Sequence, residues 1–204
     1  MNSMLLFRMG GLGDLLITFP SINLLRKTLH PCSITLVCRE EYGFILKETG
    51  VVDNIISAGA SKLAPLFASP PYPEDITCWL EGFSMILGWM QKKDSLNLET
   101  LCISRFKGRC RFIVCDQAYH GPLSTFFFQK TAEFLPDEKV PLPSFNECLL
   151  LPLTTQQKQD GLKLLGEKAL VSKEKLAVVH PGSGTRDKCW PLKSFLEKST
   201  VLPP

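Results

Sequence analysis

The sequence predicts an α/β chain built on a doubly wound, Rossmann-like parallel sheet, and three observations carry that prediction. Short apolar runs alternate with longer amphipathic ones along most of the chain. A glycine cluster, Gly10-Gly11-Leu12-Gly13, separates the first apolar run from the first amphipathic one, and a second strand, glycine loop and helix begin near residue 174. Such alternation implies parallel strands, because each parallel pair needs a long connection and the right-handed helical crossover is the stable one.

Met4 to Arg8 (MLLFR) reads as a buried strand, and Asp14 to Leu29 as a helix with Leu15, Leu16, Phe19, Ile22 and Leu25 on its inner side. Ser33 to Cys38 (SITLVC) is a second strand and closes a β-α-β unit. A helix near Glu41 to Thr49 and a strand at Asn54 to Ser57 (NIIS) follow, and Asp75 to Leu80 (DITCWL) is expected as a further strand. The apolar stretch Trp79 to Met90 fits core packing better than membrane contact. Arg111 to Cys115 (RFIVC) reads as a strand and Leu123 to Leu135 as a helix.

Between Pro136 and Pro152 four prolines, which cannot donate to a ladder or sit inside a helix, mark an interdomain connection. A polar helix at Thr154 to Leu170 and a buried strand at Lys175 to His180 (KLAVVH) lead into PGSGTRDKCWPLKSFLEK. That unit is expected to be the first slice of a second domain, incomplete at Pro204.

Composition narrows the function. With 45% hydrophobic and 21% charged residues among 204, the chain can bury an ordinary globular core. Basic residues exceed acidic ones by only 23 to 20, so nucleic acid is not an expected partner and any anion site must be local. No apolar run approaches the roughly 18 to 20 residues that cross a bilayer. Arg8 interrupts the short apolar start, unlike a signal peptide, so a cytoplasmic protein is expected. The eight cysteines form no CxxC pair and lie mostly in apolar runs, which predicts buried free thiols. His30, His120 and His180 have no metal-ligand spacing.

The two strand-loop-helix junctions carry the candidate chemistry. In an open parallel sheet, ligands bind where strand carboxyl ends meet helix amino ends, because loop N–H groups and the helix dipole favour anions. Glycine lets a phosphate or sugar approach the backbone, and Gly10, Gly11 and Gly13 meet that need in the first loop, Gly182 and Gly184 in the second. Asp14, heading the first helix, suits two roles: an N-cap that accepts a helix N–H, or a general base. Arg8 and His120 lie near predicted strand ends, within reach of a cleft. Arg105, Lys107, Arg109 and Arg111 alternate with other residues, so an extended conformation would give one basic edge, read first as an ordinary solvated face.

RMGGLGDLLITFPSINLLRKTLHPCSITLVCREEYGFIL resembles the amino-terminal signature of glycosyltransferase family 9, the lipopolysaccharide heptosyltransferases and relatives, with a GxxGD turn before an apolar, proline-containing helix. HPGSGTRDKCWPLKSF is similar to the loop that opens that family's nucleotide-sugar domain. The resemblance implies a GT-B architecture of two Rossmann-like domains facing across a cleft. Residues 1–150 would be the acceptor-side domain, 151–173 a linker helix and 174–204 the start of the donor domain.

It also implies inverting transfer of a heptose-like sugar from a nucleotide-diphosphate donor, ADP-linked by the family pattern, to a lipid-linked glycan acceptor of the lipopolysaccharide core. No cofactor or metal is implied. The protein would work at the inner face of the cytoplasmic membrane with peripheral contact to it. Asp14 matches the family's aspartate base, and Gly10, Gly11 and Gly13 its acceptor-side loop. Ser183, Gly184, Thr185 and Lys188 would hold the donor diphosphate, where a lysine with loop N–H and hydroxyl donors stabilises the leaving group. Trp190 and Pro191 would set the start of the following helix.

Two other readings stand beside this one. Gly11-Leu12-Gly13 begins a dinucleotide fingerprint, and Glu40 sits past the second strand where a ribose-binding acid belongs, which suits an NAD-binding oxidoreductase. Against it, Leu16 takes the place of the third glycine. The other is a catalytically incomplete remnant of a glycosyltransferase.

Overall fold

The computed structural model describes residues 3–29, 32–90, 97–102, 105, 109–114, 119–135, 142–167, 189, 191 and 193–194. The chain divides into two compact units, Met1–Leu153 and Thr154–Pro204.

The first unit runs β1 (Ser3–Phe7), α1 (Leu12–Thr28), β2 (Ser33–Cys38), α2 (Glu40–Glu48), β3 (Asn54–Ser57), a 3-10 turn (Ser61–Phe67), α3 (Glu74–Glu81), β4 (Met85–Trp89), β5 (Cys110–Ile113), α4 (Leu123–Ala132) and α5 (Phe145–Leu149). Five strands form one sheet in the order β3-β2-β1-β4-β5, and every pairing is parallel. This is the doubly wound α/β class predicted from the sequence.

Period-two alternation splits each strand between two cores. Met4, Leu6, Ile34, Leu36, Leu87 and Trp89 point to the face covered by α1, α2, α4 and α5. Leu5, Phe7, Val37, Ile86 and Phe112 point to the face covered by the 3-10 turn, α3 and the helical residues 97–102. Strands buried on both faces read as continuous apolar runs, which explains MLLF and ITLVC. Gly88 in β4 is required by this packing: a Cβ there would lie 2.6 and 2.8 Å from Phe112 ring carbons.

Pro20 lies inside α1, where it removes one ladder bond at a cost of about 3 kcal/mol. The helix persists because Phe19, Ile22, Leu24 and Leu25 are almost fully buried, worth about 1.5–3 kcal/mol each. Leu16, expected on the inner side, is 48% exposed instead. The buried side of α1 turns toward the sheet, α4 and α5 through Leu15, Thr18 and Phe19, and Leu16 falls outside that arc.

The segment DITCWL is a helix rather than a strand. Pro73 precedes α3, Glu74 and Asp75 fill its first turn, and Ile76, Thr77 and Leu80 are buried on one side, a helical spacing. The fourth strand is instead Met85–Trp89, so most of the apolar stretch ending at Met90 is sheet core. The helix expected to reach Leu135 ends at Ala132 and passes into turns.

The proline-rich connection also carries structure. Ser144 and Glu147 cap α5 reciprocally, Cys148 is fully buried, and its carbonyl accepts from Asn23 Nδ2 at 3.1 Å. A free thiol is recorded at each described cysteine. Cys38, Cys102 and Cys148 are buried as expected, but Cys78 on α3 is exposed. Burial, with Glu41 and Glu40 nearby, pushes the Cys38 thiol up to about 11, which keeps it protonated and unreactive.

In the second unit, α6 (Thr155–Glu167) begins with a reciprocal cap: Thr154 Oγ1 accepts from Gln157 N at 3.1 Å, and Gln157 Oε1 accepts from Thr154 N at 2.8 Å. The expected helix residues 168–170 and the strand at 175–180 lie outside the described residues.

Candidate active site

In the order β3-β2-β1-β4-β5 the chain reverses direction of travel across the sheet between β1 and β4. A crevice at the carboxyl ends of those two strands is where an open α/β sheet binds its ligands. Arg8, the residue after β1, spans that point. Its backbone N–H donates to Val37 O on β2 at 2.9 Å, and its Nη1 donates to the carbonyl of Trp89, the last residue of β4, at 2.9 Å.

The other edge of the guanidinium holds Asp14. Nε donates to the Asp14 carbonyl at 2.9 Å and Nη2 to Asp14 Oδ1 at 3.0 Å. Asp14 is not the N-cap. Gly11 takes that position with extended backbone, and Asp14 lies in the first turn, where its Oδ2 accepts from Gly11 N at 2.9 Å. A carboxylate at the third helical position is long enough to reach back to the capping residue, which has no side chain of its own to help.

Each glycine of the loop has its own task. A Cβ on Gly10 would lie 2.6 Å from Asp14 Cβ and Cγ, so the carboxylate occupies the space a side chain would take. Gly13 is exposed and has nothing within 4 Å of such a Cβ. Its missing side chain leaves open surface beside the carboxylate.

The pair is asymmetric in exposure: the Arg8 side chain is 11% exposed and that of Asp14 51%. Arg8 sits 5.5 Å from the centroid of the Phe127 ring on α4. Burial lowers its pKa from the ordinary arginine value while Asp14 opposes the shift, and the guanidinium remains charged. The result is an outward-facing carboxylate held by a largely buried cation and a loop N–H.

His120 is exposed before α4, where Tyr119 packs against Phe126 with centroids 4.8 Å apart. Arg105 and Arg111 do not share one extended edge, because Arg105 is helical and pairs with Glu81 at 3.2 Å while Arg111 lies on β5; Lys107 lies outside the described residues. Ser183, Gly184, Thr185 and Lys188, with Gly182 and Trp190, lie outside the described residues. Among the described residues no group of three or more His, Cys, Asp or Glu is arranged to hold a metal ion, and no helix is long and apolar enough to cross a membrane. Sequence reasoning missed the Trp89 carbonyl and Phe127. The five-residue apolar run after Phe83-Ser84 was the signal for the first.

No family model matches the sequence, and no curated protein matches it. Among solved structures, a glycosyl transferase family 9 protein from Veillonella parvula matches over 98% of this chain with a TM-score of 0.64 and 13% identity. The chain shares its fold with the matching part of that glycosyltransferase. An Escherichia coli heptosyltransferase, WaaC, solved with ADP-2-deoxy-2-fluoro heptose, also matches over 98% of the chain, with a TM-score of 0.50 and 14% identity. The chain spans 59% of the first of these structures and 65% of the second. The loop after β1 and the amino end of α1 lie at the carboxyl end of β1, where the strand order changes direction, and Asp14 is the carboxylate they present.

Proposed function

We propose that this chain is part of an inverting glycosyltransferase in which Asp14 is the general base. One observation carries the reading: a half-exposed carboxylate, fixed by Arg8 and the Gly11 N–H, stands at the carboxyl end of β1, where the strand order reverses and open α/β sheets bind their ligands. Each Asp14 oxygen carries one hydrogen bond in the protein and can accept a second. One of those free positions would receive the proton.

In the proposed step an acceptor hydroxyl oxygen attacks the anomeric carbon of a nucleotide-diphosphate sugar. The new C–O bond forms on the face opposite the diphosphate, the bond to the diphosphate oxygen breaks, and the nucleoside diphosphate leaves with its electron pair. The hydroxyl proton passes to Asp14 and later to water. Lys188, with Ser183, Gly184 and Thr185, would offset the charge on the leaving diphosphate. A heptose-like sugar, an ADP-linked donor, a lipid-linked glycan acceptor and work at the cytoplasmic membrane face belong to the same proposal, supported by the sequence resemblance and by the ligand bound to the WaaC structure.

Asp14→Asn tests it. Asparagine keeps the size, and its side-chain carbonyl still accepts from Gly11 N, but its amide then faces Arg8 Nη2, so a loss of up to about 1 kcal/mol is expected, the scale of a half-exposed ion pair. Loss of a general base should lower the transfer rate by about 10² to 10⁴. A variant with no larger loss of stability that transfers heptose from ADP-heptose to a lipid-linked core at near wild-type rate would make Asp14 a helix-end residue only.

A further inference from the structure

We infer that Arg8 is the positioning residue for the Asp14 carboxylate, an assignment that rests on reading Asp14 as the base. The geometry is specific. Nε and Nη2, the two donors on one edge of the guanidinium, both go to residue 14, one to its backbone carbonyl and one to Oδ1. The fork therefore fixes the side chain relative to its own backbone. Nη1, on the far edge, fixes the fork in turn to the Trp89 carbonyl at the end of β4.

The rest of the surroundings leave the carboxylate little freedom. Gly11 N holds Oδ2, and the missing Gly10 side chain is the space the carboxylate fills. Arg8 is also placed to hold rather than to bind. Its side chain is 11% exposed, faces Phe127 on α4, and already spends donors on three acceptors. A base must stay within about 1 Å of its productive place for full rate, and that is what the fork secures. Lysine cannot copy it, because a single ammonium on a flexible stem has no paired, planar donors.

A purely architectural arginine tying β1, α1 and β4 together would contribute to folding alone, and a double-mutant cycle on the full chain separates the two roles. The assay is steady-state transfer from ADP-heptose to a lipid-linked core, normalised to folded protein. Arg8→Met should lower kcat by roughly 10- to 100-fold with the donor KM within about twofold, and should cost less than about twofold more in an Asp14→Asn background. The same loss in both backgrounds would overturn the assignment, because Arg8 would then act on something other than Asp14. So would a folded Arg8→Met with wild-type kcat.

Arg8→Lys keeps the charge and carries the test if the methionine variant does not fold. It should remain at least about fivefold below wild type in kcat, and a wild-type rate would show that charge alone suffices. Failure of the base reading looks different: Asp14→Asn would then transfer normally on its own, whatever the Arg8 variants do.

Discussion

Replacing Gly10 by alanine isolates the space that shapes the site. The new Cβ would lie 2.6 Å from Asp14 Cβ and Cγ, whereas non-bonded carbons settle at about 3.5–4.0 Å. The carboxylate must retreat by roughly 1 Å, and its bonds to Gly11 N at 2.9 Å and Arg8 Nη2 at 3.0 Å cannot both survive that. Overpacking costs about 1–3 kcal/mol. The lost ion pair adds at most about 1 kcal/mol, because Asp14 is half exposed and solvent screens the charge. Urea denaturation should therefore show a loss of about 1–4 kcal/mol. With Asp14 as the proposed base, a displacement of about 1 Å should lower transfer by roughly 10²-fold.

Gly13→Ala is the control on the same loop. Its Cβ meets nothing within 4 Å, and the position is exposed and helical, so the substitution should stabilise by about 0.5–1 kcal/mol. The reasoning fails if Gly10→Ala is as stable and active as wild type, or if Gly13→Ala destabilises as much as Gly10→Ala does.

Two further expectations concern the donor side and acid stability. Lys188→Ala should weaken binding of a nucleotide-sugar donor by about 1.5–3 kcal/mol in calorimetry, as for a charged hydrogen bond, and unchanged affinity would remove Lys188 from the donor site. Burial raises the Asp53 pKa, but the Ile34 N–H at 2.7 Å and Arg26 at 2.5 Å outweigh it and hold the carboxyl below its ordinary value. A depressed folded pKa contributes stability that is present above the unfolded value, near pH 4, and is lost as pH falls through the folded one. Asp53→Asn should therefore be less stable than wild type at pH 7, with the gap closing below about pH 4 in thermal melts, and a gap independent of pH would refute this.

The sequence by itself determined the fold class of the first unit. Continuous apolar runs such as MLLF and SITLVC mean strands buried on both faces, and strands of that kind, separated by amphipathic stretches, admit a parallel sheet with helices on each side. The runs at 33–38 and 54–57 even set their strand ends, because charged or turn residues bound them sharply. The position of Asp14 after a glycine loop was legible for the same local reason.

Tertiary structure decided what depends on residues distant along the chain. DITCWL has strand-like composition, yet it folds as α3 because Met85–Trp89 occupies the place beside β1 and the earlier segment must cover the sheet instead. Leu16 is exposed because α4 and α5 set which arc of α1 is buried. Periodicity carries no information on which neighbours a helix will meet. The same holds at the site: Gly10 and Gly13 are indistinguishable in a glycine-rich string, and only the rotamer of Asp14 makes one indispensable. That rotamer is held by Arg8, and Arg8 is held by the Trp89 carbonyl 81 residues away, a contact that exists only once β4 has paired with β1.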